Sequence, residues 1–177
     1  METNNLEEYK NTQWIENLAF EELNMDESGV VEFNNHLSAD LVLEEESIRF
    51  MDNLKGLFEF FITRFNECRG GIDSGASIKI FKISNTVNDF MLFRNSLRLV
   101  FSRKSCDLIS IGLLMNGKDL YAPRIPGQQE NIPFSCHEIS ASIGPFNKIN
   151  WKFQGENVDS SAMVKHYLAE FIKTSAR

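Results

Sequence analysis

The sequence has neither a basic start nor a long apolar run, the features that mark a secretory signal and a membrane span. Residues 1–25 carry six glutamates against the single base Lys10, and the most apolar stretches cover only residues 57–62 and 111–115. A membrane-spanning helix needs roughly 20 apolar residues. We therefore expect a cytoplasmic protein without membrane insertion, although secretion by a route that needs no signal peptide stays open.

Cysteine and histidine are too few and too scattered to form a recognisable site. The chain has three cysteines, an odd number without close pairs, which argues against a disulfide framework and for reduced thiols. The three histidines, His36, His137 and His166, lie in three different predicted elements, and no HxxxH, HExxH or CxxC spacing occurs. We therefore expect no metal and no cofactor.

The usual motifs of catalysis are also missing. The glycine-rich stretch 70–75 has no Lys-Ser or Lys-Thr ending and follows a predicted helix, which is the reverse of a phosphate loop. No Gly-x-Ser-x-Gly elbow occurs. Cys136 is the best available nucleophile, with His166 or Glu138 as its imagined partner, but nothing in the spacing supports either pairing. The sequence favours a protein that is not an enzyme and predicts no catalytic residue.

Charge is distributed unevenly along the 177 residues. Residues 1–50 hold 13 acids and 2 bases, a net charge of −11, whereas residues 51–177 hold 12 acids and 16 bases, a net charge of +4; together these give −7. Such a split is typical of an interaction arm, although an ordinary solvated lead-in has the same pattern. Overall acidity makes nucleic acid an improbable partner, because that binding depends on dense Lys and Arg contacts to phosphate.

Hydrophobic periodicity predicts three helices, two of which flank the rest of the fold. The first runs from Gln13 to about Asn24, and the last covers about 160–173. The strongest covers about 41–68, where apolar residues recur at 3,4,3,4 spacing. This seam is either core packing or a candidate interface for a homodimer or another protein; it consists of Met51, Leu54, Phe58, Phe61 and Phe65.

Between the last two helices the period changes to two, which is typical of half-buried antiparallel strands. We expect strands at 77–84, 90–103, 107–115, 138–143 and 148–153, with a bulge or turn near Asn95-Ser96, and a short strand at 30–33. Asn116-Gly117 is a hairpin signal that leads to a return strand, and 123–135 is a candidate functional loop. The sequence thus predicts an α+β domain over 41–177, following an acidic arm over 1–40. Its antiparallel meander of about five to seven strands covers 77–155, and the two helices pack on one face.

If the odd positions of 90–103 face the core, the even positions point away from it. This arrangement predicts a mildly basic sheet face, formed by Arg94, Arg98, Lys148, Lys152, Ser140 and Ser142. We expect a protein-interaction module, such as an adaptor, chaperone, inhibitor or regulatory subunit, whose face binds an acidic segment of a partner or of its own arm. The alternative is a small-ligand-binding protein or enzyme with an aromatic-lined cavity, by analogy with helix-grip folds.

Overall fold

The computed structural model describes residues 12–29, 38–71, 73–115 and 136–176 of the chain. The strand expected at 30–33, the hairpin at Asn116-Gly117 and the loop at 123–135 lie outside these residues. The chain divides into two compact units, Met1–Ser38 and Ala39–Arg177.

The first unit contains one described helix, α1 (Gln13–Ser28), which is four residues longer than the periodicity predicted. It ends at Gly29, whose φ of 68° lets its N–H donate to the carbonyl of Met25 at 2.8 Å. None of its residues is buried. Its apolar side chains are therefore exposed within this unit, and they include Trp14, Ile15, Leu18, Phe20 and Leu23.

The second unit has the predicted α+β architecture. Helix α2 (Ala39–Cys68) leads into a seven-stranded antiparallel sheet, and helix α3 (Ser160–Ser175) follows it. The strands pair in chain order as a meander: β1 (Lys79–Lys82), β2 (Phe90–Arg94), β3 (Leu97–Ser105), β4 (Leu108–Met115), β5 (His137–Ile143), β6 (Ile149–Phe153) and β7 (Glu156–Asn157). The two-residue strand β7 is an addition to the predicted set.

Both α2 and α3 pack on one face of the sheet, which we call the inner face. At its centre Phe58 of α2 contacts Phe90 and Phe101, with ring centroids 5.9 and 5.0 Å apart. Helix α3 adds Val164, Leu168 and Phe171, and Asp159 caps its start by accepting from the Ala162 N–H at 2.6 Å. The opposite, outer face is not covered by either helix.

The turn expected near Asn95-Ser96 is confirmed, whereas the treatment of 90–103 as one strand is wrong, because the structure has two strands joined by a tight hairpin. Asn95 and Ser96 form the turn, with φ of 49° and 66°. Positive φ at both central positions matches the right-handed twist of the flanking strands. The hairpin reverses the chain, so the inner face takes the even positions of β2 and the odd positions of β3.

Candidate functional site

The six residues of the predicted basic face do not all share one surface. Ser140 pairs with Lys152, and Ser142 pairs with Asn150, on the outer face of β5 and β6. Arg98 lies on the same face of the sheet, in β3, opposite Phe93. Lys148 is exposed in the turn before β6. The sixth residue, Arg94, belongs to the inner face.

Arg94 is only 4% exposed, so the prediction that it faces solvent is wrong. Its Nε donates to the Ala76 carbonyl at 2.8 Å, and its Nη1 lies 3.3 Å from the Ser175 Oγ. The guanidinium also lies over the Phe65 ring, 5.3 Å from its centroid. Burial lowers the pKa of Arg94, and the nearby charge of Arg69 adds to this shift. Arg94 therefore links the β2–β3 hairpin to α2 and α3, and it is not accessible to a binding partner.

The reversal at the hairpin also places apolar side chains on the outer face. Met91 and Phe93, which the single-strand interpretation assigned to the core, point outward there. Strand register aligns them with residues of neighbouring strands in two adjacent rows. One row is Phe81–Met91–Val100–Gly112, and the other is Lys79–Phe93–Arg98–Leu114. We call the apolar members of these rows the outer patch: Phe81, Met91, Phe93, Val100 and Leu114.

Gly112 has no side chain in the first of these two rows. A Cβ built at this glycine would meet nothing within 4 Å, so the space above it is open. Its row neighbour Val100 is half-buried, and Phe81 at the sheet edge is 43% exposed. The patch is therefore a contiguous apolar surface with open space above Gly112.

Positive charge borders the outer patch. Lys79 and Arg98 lie in the same row as Phe93, and the Arg98 guanidinium lies 6.0 Å from the Phe93 ring centroid. Further along the face come Lys152 on β6 and the acid Glu138 on β5. Asp89 also lies on this face, where it accepts from the Ser102 hydroxyl at 2.7 Å. Three bases and two acids give +1, whereas the whole chain carries −7. The outer face is thus locally basic on an acidic protein.

The candidate interface seam on α2 is largely core. Met51, Leu54 and Phe58 have no exposed surface, so no partner can reach them in the folded chain. Phe65 is half-buried against Arg94, and Phe61 is exposed. The buried stripe continues through Ile62 and Asn66 instead. A 3,4,3,4 spacing repeats every seven residues, but seven residues of a straight α-helix fall about 20° short of two full turns. The buried stripe therefore drifts around the helix and passes from Phe61 and Phe65 to Ile62 and Asn66.

A groove of about 370 Å³ lies between α3 and the inner face, beside the ends of β4 and β5. Its apolar walls come from the sheet and from Phe171, and its polar groups come chiefly from α3. The lining residues are Leu99, Ile111, Leu113, His137, His166, Tyr167, Glu170, Phe171 and Thr174. It combines an apolar interior with a few polar groups, as small-molecule sites do.

His137 and Tyr167 form the most specific polar contact of this groove. The His137 Nδ1 and the Tyr167 Oη are 2.6 Å apart. Burial raises the pKa of Tyr167 to about 12, so its phenol stays protonated at neutral pH. This contact occupies Nδ1 of His137 and leaves Nε2 without a partner among the described residues.

Sequence reasoning missed this pair, because the two residues are 30 positions apart and Tyr167 read as part of the apolar stripe of α3. The residues considered for catalysis do not assemble into a matching site. Glu138 lies on the outer face, opposite to His137, and Cys136 and His166 are exposed. No group of three or more His, Cys, Asp or Glu residues among the described ranges could hold a metal ion.

Comparison with known proteins returns no match to a protein-family model, to a curated protein or to a solved structure. None of the helices in the described ranges combines the length and apolar character needed to cross a membrane. The candidate sites are therefore the outer patch and the groove beneath α3.

Proposed function

We propose that this protein is a non-enzymatic interaction module that binds an acidic segment of a partner protein through the outer face of its sheet. The observation that carries the proposal is the outer patch with its border of Lys79 and Arg98. Contiguous exposed apolar surface on a folded domain marks an interaction site, especially where polar residues surround it. This mode of interaction is compatible with an adaptor, a chaperone, an inhibitor or a regulatory subunit.

Charge decides which kind of partner fits this surface. Two copies of the outer face would bring Lys79 and Arg98 against like charges, which disfavours a dimer through this patch. A partner segment with carboxylates around an apolar centre matches both the patch and its border. Arg98 lies over Phe93, so it offers its charge beside an aromatic anchor, and aromatic and Arg residues are enriched at interface hot spots.

The acidic arm of residues 1–40 enters the proposal as a regulatory element. Residues 1–40 hold ten acids and one base, a net charge of −9, so the arm has the acidic character that we propose for the partner segment. Deletion of residues 1–38 should therefore strengthen binding of an acidic partner at low ionic strength. Unchanged affinity would remove the arm from the proposal and leave the outer face untouched.

The test is co-purification from the native host at low ionic strength, followed by native mass spectrometry. The double variant Phe93→Ser/Arg98→Glu should lose a co-purifying protein that the natural sequence retains. Lys173→Glu makes the same charge change on an exposed position of α3 and should retain it. Circular dichroism on both variants checks that the fold is intact. Equal retention by the outer-face variant would contradict the proposal.

A further inference from the structure

We propose that the exposed side of α2 packs antiparallel against the same helix of a second copy of this chain, so that the protein forms a symmetric dimer. The predicted interface seam of α2 is largely core, and the dimer contact uses the opposite side of the helix. That side points away from the sheet, so this inference does not rest on the binding proposed for the outer face. Three features carry it: the spacing of an exposed stripe, the fit at its centre and the charges at its ends.

One stripe of α2 is exposed over its whole length from residue 49 to residue 67. Its six members follow each other at spacings of 4, 3, 4, 3 and 4: Arg49, Asn53, Gly56, Phe60, Thr63 and Glu67. The two ends are 18 residues apart, which is five full turns of an α-helix, so the stripe stays on the side opposite the buried Met51, Leu54 and Phe58. Alternating spacings of 3 and 4 let the side chains of two helices interlock along a shared contact.

The centre of the stripe combines an exposed aromatic ring with a missing side chain. Phe60 is 70% exposed, and its ring meets that of Phe61 edge-on, with centroids 5.3 Å apart. One turn earlier Gly56 lies in the interior of the helix, where glycine is less favourable than alanine. A Cβ built at Gly56 would meet nothing within 4 Å, so no contact among the described residues requires a glycine here. The helix thus presents a projecting ring and an open space on the same side.

An antiparallel second copy matches the ring to the open space. When Gly56 lies opposite Phe60 of the partner subunit, two-fold symmetry also places Phe60 opposite Gly56 of the partner subunit. Each ring then enters the space that a glycine leaves. The same register brings Asn53 opposite Thr63 of the partner subunit, where an amide and a hydroxyl can form a hydrogen bond. A parallel pair would instead set ring against ring and leave the space above each glycine empty.

The ends of the stripe carry opposite charges, and the same register brings them together. Arg49 lies opposite Glu67 of the partner subunit, and this contact occurs at both ends of the dimer. Within one chain Arg49 pairs with Glu46, and Glu67 accepts from Arg64 at 3.1 Å. The dimer therefore joins two ion pairs into a row of four charges with alternating sign. Exposed ion pairs contribute little affinity, so these charges select the partner and its orientation while the ring supplies the apolar burial.

Sedimentation equilibrium on the full chain tests the dimer. The contact buries only one face of one helix, so we expect a weak dimer with a dissociation constant on the order of 10 µM. Phe60→Asp places a carboxylate in the apolar centre and should weaken the dimer by about tenfold or more. Phe146→Asp replaces a fully exposed phenylalanine between β5 and β6 and is the matched control, which should dimerise like the natural sequence. A natural sequence that stays monomeric at about 1 mM, or equal effects of the two variants, would overturn the proposal.

Exchange of the charges at the two ends tests the register. Arg49→Glu sets two glutamates against each other at both ends of the dimer, and Glu67→Arg does the same with two arginines. Each variant alone should dimerise about tenfold more weakly than the natural sequence. A mixture of the two variants restores an Arg–Glu contact at both ends, so native mass spectrometry should show the mixed dimer in excess over the dimers of either variant. A mixture without this preference would overturn the antiparallel register.

The same variants distinguish a second copy from a different protein as the occupant of the stripe. All four substitutions lie at exposed positions, and circular dichroism checks that each variant keeps the fold. A co-purifying protein that Phe60→Asp loses, together with a natural sequence that forms no dimer, would assign the stripe to that protein and overturn the second copy.

Discussion

Arg94 and Arg98 are four residues apart in sequence and lie on opposite faces of the sheet. Arg94 points inward and donates to the Ala76 carbonyl at 2.8 Å, while Arg98 points outward beside Phe93. The hairpin at Asn95-Ser96 separates them and reverses the chain. Two residues that sequence alternation treats as equivalent therefore have different roles, one in stability and one in the proposed binding surface.

This difference predicts unequal effects on stability. Arg94→Ala removes a buried cation and leaves the Ala76 carbonyl without its donor, so we expect the free energy of unfolding to fall by roughly 2–4 kcal/mol. Arg98→Ala removes an outward side chain and should change it by no more than about 0.5 kcal/mol. Urea denaturation followed by circular dichroism measures both. Equal effects would show that the hairpin does not orient the two arginines as described.

Asn66 joins the end of α2 to the start of the sheet, and its replacement should also lower the free energy of unfolding strongly. Its side chain donates to the Ile78 carbonyl at 2.9 Å and accepts from the Ile78 N–H at 2.8 Å. Asn66→Ala leaves both backbone groups unpaired in a buried place, and we expect a loss of about 2–3 kcal/mol in urea denaturation. Asn53→Ala, at an exposed position of the same helix, is the matched control. A small loss at Asn66 would contradict this account of the junction.

The contact between Glu44 and Arg103 predicts how stability responds to acid. Arg103 donates from Nη1 to Glu44 Oε2 at 2.7 Å, and this hydrogen bond lowers the pKa of Glu44. A carboxyl group whose pKa is lower in the folded state than in the unfolded state stabilises the fold at pH values above its unfolded pKa. This contribution disappears as the pH falls through the folded-state pKa. Glu44→Gln should therefore lower the melting temperature at pH 7 and have little effect at pH 3.

Glu45→Gln is the control for this acid dependence, because Glu45 is exposed next to Glu44 on the same helix. Melting curves from pH 3 to pH 7 on the three proteins make the comparison. A gap between the natural sequence and Glu44→Gln that stays constant over this range would contradict the ion pair.

Tyr167 predicts the opposite response at high pH. Burial raises its pKa from 10.0 to about 12, so the folded state holds the phenol proton longer than the unfolded state does. The resulting stability is complete below pH 10 and is lost as the pH rises toward 12. The tyrosinate absorbance difference between the natural sequence and Tyr167→Phe should show a midpoint near pH 12. A midpoint near 10 would mean that the phenol is not buried against His137.

The fold class was predictable because hydrophobic periodicity changes clearly from helix to strand along the chain. The buried stripe of α2 and the alternation in β4 to β6 follow directly from burial on one face. The direction of β2 was not predictable by the same means. The length of 90–103 indicated a bulge or turn near Asn95-Ser96, but alternation shows which residues share a face only within one strand, and it does not distinguish a bulge from a reversal of the chain.

The candidate sites were harder to foresee, because each depends on contacts between distant residues. The outer patch brings Phe81 and Leu114 onto one face through three strand pairings. His137 meets Tyr167 only because α3 crosses the sheet near the start of β5. Neither arrangement has a local spacing that a sequence could reveal. The outward orientation of Arg98 and Lys152 followed from alternation within β3 and β6, whereas their role in binding stays a prediction.

The most direct test of the proposed interaction is photo-cross-linking from the outer patch in the native host. A benzophenone amino acid replaces Phe93, and the same amino acid at Phe60, which is 70% exposed on α2, serves as the reference. The proposal predicts a cross-link from position 93 to an acidic segment of a partner protein, and no such cross-link from position 60. Cross-linking from position 60 alone, or from neither position, would contradict the outer face as the binding surface.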